Sequence, residues 1–96
     1  MSGRLKFGNC VLCKRETNLT FHHLIPRKLH KRRRFEKTYT RDQLNEGIML
    51  CSRCHRGLHK LYSEMELGTR LNTLSEIAND AQIIKHVNWV AKQKIK

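Results

Sequence analysis

Ninety-six residues leave room for one small domain, and with 39% hydrophobic and 6% aromatic residues its core calls for a staple such as a metal or disulfides. Twenty Lys and Arg stand against eight Asp and Glu, a formal net charge of +12, which points to a polyanionic partner. No apolar run approaches the roughly 18 residues that span a bilayer, and Met1 to Phe7 lacks the apolar stretch of a secretory signal; the expectation is a cytoplasmic chain, not a membrane protein, a secreted disulfide miniprotein or a two-domain enzyme.

In chain order, Thr17-Asn-Leu-Thr-Phe-His-His-Leu-Ile25 is rich in β-branched and aromatic types and predicts a strand, which Pro26 should end. A long basic loop is expected over residues 27–37. It contains His30-Lys31-Arg32-Arg33-Arg34, with Arg27 and Lys28 before and Lys37 within its end. Residues 1–41 carry 12 basic and 2 acidic side chains, against 8 and 6 in residues 42–96. Such a block repels itself unless solvent or a polyanion lies beside it, and its concentration in one half favours phosphate contact over a merely solvated loop.

Thr40-Arg-Asp-Gln43 has capping-box form and predicts a short helix over about 41–46, with Gly47 near its C-terminus. Ile48-Met-Leu50 predicts a second strand leading into Cys51. From Arg53 onward, Cys54, Leu58, Leu61, Tyr62 and Met65 fall on one helical face, although Gly57 inside it costs roughly 1 kcal/mol relative to Ala. Ser63–Glu66 and Thr73–Glu76 propose two further helix starts, and Asp80 a third. In the last helix Ile83, Ile84, Val87, Val90 and Ala91 form an apolar stripe, and Trp89 at its edge reads as packing rather than as a base-stacking platform. No internal repeat is present.

The four cysteines form two Cys-x-x-Cys pairs, Cys10/Cys13 and Cys51/Cys54, separated by 37 residues. Two thiolates three apart can turn around one tetrahedral ion, and two such turns complete a four-sulfur site. This favours structural zinc over two disulfides, which need an oxidising compartment, and over redox pairs, which suit a longer thioredoxin-like chain. Metal binding would then tie residue 10 to residue 54 and become folding energy.

Four of the six histidines are grouped. His55 and His59, four apart on the proposed helix, can reach one ion, and the preceding knuckle would hold the start of that helix. His22 and His23 are adjacent, so in a regular strand they face opposite sides. Two roles fit them better than one: a metal ligand, and a contact to a water beside the substrate.

Taken together, Cys-x-x-Cys, His22-His23-Leu24-Ile25-Pro26 and Leu50-Cys51-Ser52-Arg53-Cys54-His55-Arg56-Gly57-Leu58-His59 resemble an HNH endonuclease of the zinc-knuckle type. The likeness covers residues 10–59 directly, and the tail is similar to that of small stand-alone members. It implies an α+β fold, a small zinc-stapled ββα-metal unit with a helical C-terminal tail. One nuclease domain is expected over residues 1–96, with its motif core at 10–59 and its helical tail at about 63–95. On this resemblance His23 matches the general base, and His22 and His59 match ligands of the catalytic metal. His55 matches an additional helix histidine of colicin-type members, a metal ligand there, with phosphate contact or a place behind the ligands left open. Cys10, Cys13, Cys51 and Cys54 match a separate structural zinc site. One departure stands out: the position of the family's middle asparagine, which braces the loop orienting the general base, is Glu46 here, and Asn45, one residue away, is the catalytic-site candidate for that role.

The implied activity is metal-dependent hydrolysis of DNA phosphodiester bonds by a histidine-activated water. The alternative is a zinc-stabilised nucleic-acid-binding module that cleaves nothing; a third class is an adaptor whose basic face meets an acidic protein. The catalytic ion would be Zn2+, Ni2+, Mn2+ or Mg2+, with an all-histidine set suiting the first three better. Arg27, Lys28, Lys31, Arg32, Arg33 and Arg34 would hold the DNA backbone by charge. No base-reading domain is evident, so specificity would fall to the basic segment, a homodimer or a partner protein.

Overall fold

A computed structural model describes residues 6–93 of the chain. The reading of Met1 to Phe7 therefore lies mostly outside the described residues, as does the end of the tail at 94 and 95. Lys6 and Phe7 belong to a strand that the sequence pattern does not signal, β1 (Lys6–Asn9), paired antiparallel with β2 (Glu16–His23). The turn between them is the first Cys-x-x-Cys. Cys10 receives the Lys14 N–H at 2.9 Å and donates to the Arg15 carbonyl at 3.0 Å, and Lys14 takes a left-handed φ of 69° to close the loop. The knuckle, not strand propensity, creates this hairpin.

β2 stops at His23, short of the expected residue 25. Leu24 and Ile25 lead to Pro26, the N-cap of a 3-10 turn, Arg27–Leu29. The basic stretch is not a loop. After that turn it forms α1 (Arg33–Thr38), because Leu29 and Phe35 are buried with Ile25 and Leu44 in a small second core on which Tyr39 stacks. Charge at four consecutive positions hides this pattern: one apolar residue per turn is enough to seat a short helix once a partner surface exists.

The Thr40–Gln43 capping box is fully formed, and it opens α2 (Arg41–Leu44). That helix ends two residues earlier than expected, and Gly47 is not at its C-terminus but begins β3 (Gly47–Cys51), opposite His23. A Cβ at Gly47 would collide with the Phe21 ring and the His22 carbonyl, so close approach is what requires glycine there. The sheet order is β1-β2-β3, antiparallel throughout.

From β3 the chain passes without a loop into α3 (Ser52–Leu61), whose N-cap is Cys51 itself, its sulfur receiving the Cys54 N–H. Cys54 and Leu58 are buried as the periodicity predicts. Tyr62, however, ends α3, and Met65 sits exposed in α4 (Glu64–Thr69), because the Ser63–Glu66 capping box starts a new helix. Thr73 caps α5 (Leu74–Ala78) from one side only, and Asp80 caps α6 (Ala81–Ala91) while also accepting from the Tyr62 hydroxyl at 2.6 Å.

On α6 Ile83 and Val90 are buried and Val87 partly so; Ile84 and Ala91 lie on the exposed flanks of that stripe. Trp89 does not pack in the core. It is 51% exposed, with the Arg53 guanidinium over its ring at 5.8 Å. α6 crosses α3 closely at Gly57, where a Cβ would strike the His86 imidazole, and His86 Nε2–H donates to the Arg53 carbonyl at 3.0 Å. The glycine that weakens α3 by propensity is the point at which the tail docks. The architecture is thus a mixed α and β fold with a three-stranded sheet, a cysteine cluster and a helical C-terminal region. Among the described residues no helix is long and apolar enough to cross a membrane.

Candidate active site

Antiparallel pairing of β2 with β3, followed at once by α3, brings both cysteine pairs together. All four cysteines are buried and free, and their sulfurs lie within 4.8 Å of one another, Cys13 and Cys51 at 3.6 Å. Within each pair the backbone N–H of the second cysteine points at the sulfur of the first, at 3.5 Å in Cys10/Cys13 and 3.4 Å in Cys51/Cys54. Arg15 adds a guanidinium N–H at 3.5 Å from the Cys51 sulfur and ties the same group to the Gln93 carbonyl. Four clustered sulfurs with N–H donors around them are the donor set of a structural metal ion, and zinc is the ion that suits four thiolates best.

The second cluster lies on the α3 side of the sheet. His22 comes from β2, and His55 and His59 from successive turns of α3; one ring nitrogen of each lies within 4.8 Å of the others. Ring centroids are 5.1 Å apart for His22–His55 and His55–His59, and 5.4 Å for His22–His59. His22 is 1% exposed and neither of its ring nitrogens has a hydrogen-bond partner. Leaving a buried polar group unpaired costs about 1–3 kcal/mol, so this arrangement needs a reason. Burial first, and then the neighbouring histidines, lowers the His22 imidazole to about 3, and burial lowers His55 as well. An imidazole binds metal through a ring-nitrogen lone pair, and three converging histidines fit a divalent cation of nitrogen-binding type. His55 Nδ1 is meanwhile 2.8 Å from the Thr20 hydroxyl.

His23 faces the other way, as alternation along a strand requires. Its ring meets the edge of Phe21 at 4.8 Å and His30 at 5.5 Å. It opens onto a cleft of about 880 Å³ lined also by Arg27, Lys28, His30, Lys31, Arg41 and Asn45. Partial burial, followed by the proximity of His30 and Arg27, holds the His23 ring below its ordinary pKa and favours its neutral form. Of the expected basic residues, Arg27, Lys28 and Lys31 share this cleft with His23. Arg34 instead lines a separate groove with Phe35 and Gly68, and Arg32 and Arg33 are exposed outside both.

Asn45 is the C-cap of α2 and lies on the cleft wall. At the neighbouring position the Glu46 carbonyl accepts from the Leu24 N–H at 3.0 Å, which continues the β2–β3 ladder past His23. A backbone bond thus braces the segment after His23 whatever side chain occupies residue 46.

Sequence reasoning overlooked four polar neighbours. Thr20 sits two residues before His22 on the same strand face, a signal available from strand periodicity. His30 was hidden in the basic run; its Nε2–H donates to the Ile25 carbonyl at 2.7 Å beside His23. Arg56 and Lys60 directly follow the two helix histidines and line a shallow groove with them, extending positive charge to the far side of the cluster.

A family model described as HNH endonuclease matches residues 10–61, a span that includes both knuckles, β2, β3 and α3. Among curated proteins, the chain is similar to one from Bacillus subtilis (strain 168) named "Uncharacterized protein YisB", with 37% identity over 87 residues, covering 90% of this chain and 76% of that protein. No solved structure gives a significant match.

Proposed function

The chain belongs to the HNH endonuclease family, and from that premise we propose that it is a metal-dependent endonuclease hydrolysing DNA phosphodiester bonds. The single observation that carries the reading is His22: fully buried, unpartnered at both nitrogens, and beside His55 and His59. Family membership supports action on nucleic acid, and the basic residues around the cleft support a polyanionic substrate.

His22, His55 and His59 would hold the divalent ion. When bound, that ion supplies Lewis-acid stabilisation of charge growing on the phosphate oxygens. His23 is the general base: neutral and open to the cleft, it accepts a proton from the water that attacks phosphorus. Phe21 and His30 flank its ring and limit its orientation. Arg27, Lys28 and Lys31 hold the strand near the base, with Arg32, Arg33 and Arg34 gripping backbone further along α1. Arg56 and Lys60 extend the grip past the helix histidines. These contacts read charge rather than sequence, so binding weakens steeply with salt. Asn45 lies on the cleft wall within reach of a bound strand, a binding contact rather than a proton carrier. Cys10, Cys13, Cys51 and Cys54 bind structural zinc and keep β2, β3 and α3 in the register that assembles this site. The whole of residues 1–96 acts as one nuclease domain, its specificity left to a second copy or a partner protein.

Plasmid nicking with Zn2+, Ni2+, Mn2+ and Mg2+ in turn tests the activity. Wild type should nick with at least one ion, and His23→Ala should lose roughly 10²–10⁴-fold in rate while keeping its zinc and its DNA affinity. DNA binding without cleavage under every ion would instead establish a binding module.

A further inference from the structure

Resting on the histidine-site reading above, we infer that Thr20 is a positioning residue of the metal site: its hydroxyl fixes the tautomer of His55 so that Nε2 is the nitrogen left to bind the ion. A threonine hydroxyl has one proton and can accept as well as donate. Thr20 Oγ1 lies 3.1 Å from the Leu50 carbonyl, which can only accept, so the hydroxyl proton points there. The same oxygen lies 2.8 Å from His55 Nδ1. With its proton already committed, Oγ1 accepts, and Nδ1 carries the hydrogen. A neutral imidazole protonated at Nδ1 has its lone pair on Nε2.

The placement is built into the sheet. Thr20 and Leu50 are opposite one another in the β2–β3 register, and Thr20 shares its strand face with His22, two residues on. Leu50 is fully buried, so its carbonyl has no water to compete for the Thr20 proton. His55 stands in the first turn of α3, directly after Cys54. The Thr20 bridge therefore links the strand that carries one ligand to the helix that carries the other two. A hydrogen bond from the second nitrogen of a ligating histidine both orients the ring and raises its basicity. Of the roles open to His55, this bridge selects the metal ligand: with the ring hydrogen held at Nδ1 by Thr20, Nε2 presents a lone pair and has no N–H to offer a phosphate.

The test is Ni2+ alone, titrated by calorimetry into zinc-loaded wild-type, Thr20→Val, Thr20→Ser and His59→Ala proteins. Long-range ¹H–¹⁵N NMR of the histidine rings, recorded before nickel is added, reads the tautomer independently of activity. Wild-type His55 should be the Nδ1–H tautomer, and Thr20→Val should lose that preference and bind Ni2+ roughly 10–100-fold more weakly. Thr20→Ser, which keeps the hydroxyl, should restore both. Unchanged or tighter Ni2+ binding in Thr20→Val, or an Nε2–H tautomer in wild type, would overturn the role of Thr20 while leaving the metal site standing. If wild type shows no nickel binding that His59→Ala removes, the histidine metal site itself falls, and the role of Thr20 with it.

Discussion

The cysteine cluster draws on the β1–β2 turn, β3 and α3, and the histidine cluster on β2 and α3, so the two share one helix, yet they differ in closure. Four sulfurs converge, all buried, with N–H groups filling the space around them. Three imidazoles converge with graded exposure, His22 buried, His55 half-buried and His59 exposed. A closed four-donor set leaves an ion nothing further to bind, which suits a structural role; a three-donor set with one exposed side leaves room for a further ligand. The contrast teaches that one short ββα segment can carry a staple and a candidate reactive centre, provided that the donors differ in number and access.

Removing metal from the cysteines should produce the largest effect. Structural zinc in small domains supplies on the order of 10 kcal/mol of binding energy that is also folding energy. A strong chelator, or Cys51→Ser, should abolish the cooperative thermal transition seen by circular dichroism. A folded apo protein with an unchanged transition would break the distinction between staple and reactive centre. Next in size, His59→Ala should lower nicking by about three orders of magnitude, the equivalent of several kcal/mol of lost Lewis-acid stabilisation. Its zinc content by mass spectrometry should remain one per chain, and loss of that zinc would show that the two clusters are not separable.

Gly57 lies on α3 between His55 and His59, and it tests whether the tail supports the histidine helix. Helix propensity alone expects Gly57→Ala to stabilise by up to about 1 kcal/mol. Collision with His86 reverses the sign, to a loss of about 1–3 kcal/mol, and His86→Ala in the same chain should recover part of it. Chemical denaturation of the single and double variants measures both, and a stabilised single variant would contradict the close crossing of α3 and α6. The smallest effect belongs to His22→Leu. Replacing an unpartnered buried imidazole by an apolar side chain should raise stability of the zinc-loaded protein by about 1 kcal/mol, measured in the absence of a second metal, while ending nickel binding at the histidines. A clear loss of stability instead would mean that His22 serves packing rather than the site.

Much of the candidate site was legible because its chemistry resides in short spacings. Cys-x-x-Cys twice and His-x-x-x-His on a helix announce convergent donors without knowledge of the fold. Alternation along a strand also anticipated that His22 and His23 part to opposite faces. The capping residues Thr40, Ser63 and Asp80 marked helix starts correctly, since a cap is satisfied within four residues of itself. Other features were not readable locally. β1 exists because the first knuckle folds the chain back, and α1 because Leu29 and Phe35 find Ile25 and Leu44. Trp89 followed the apolar pattern of its helix but lies beyond the edge of the buried stripe, where Arg53 meets it instead.

By itself the sequence determined the donor types, their spacing, the helix caps and the excess of positive charge in the first half, because each of these depends on residues within a turn or two of one another. Only tertiary structure decided which histidine is sealed without a partner, that Thr20 stands against His55, that Arg27, Lys28 and Lys31 share the His23 cleft while Arg34 does not, and that Gly57 is the docking point of the tail. The sealing of His22 and the Thr20–His55 contact depend on the β2–β3 register and its passage into α3, the sorting of the basic residues on the second core that seats α1, and the Gly57 contact on the crossing of α3 with α6.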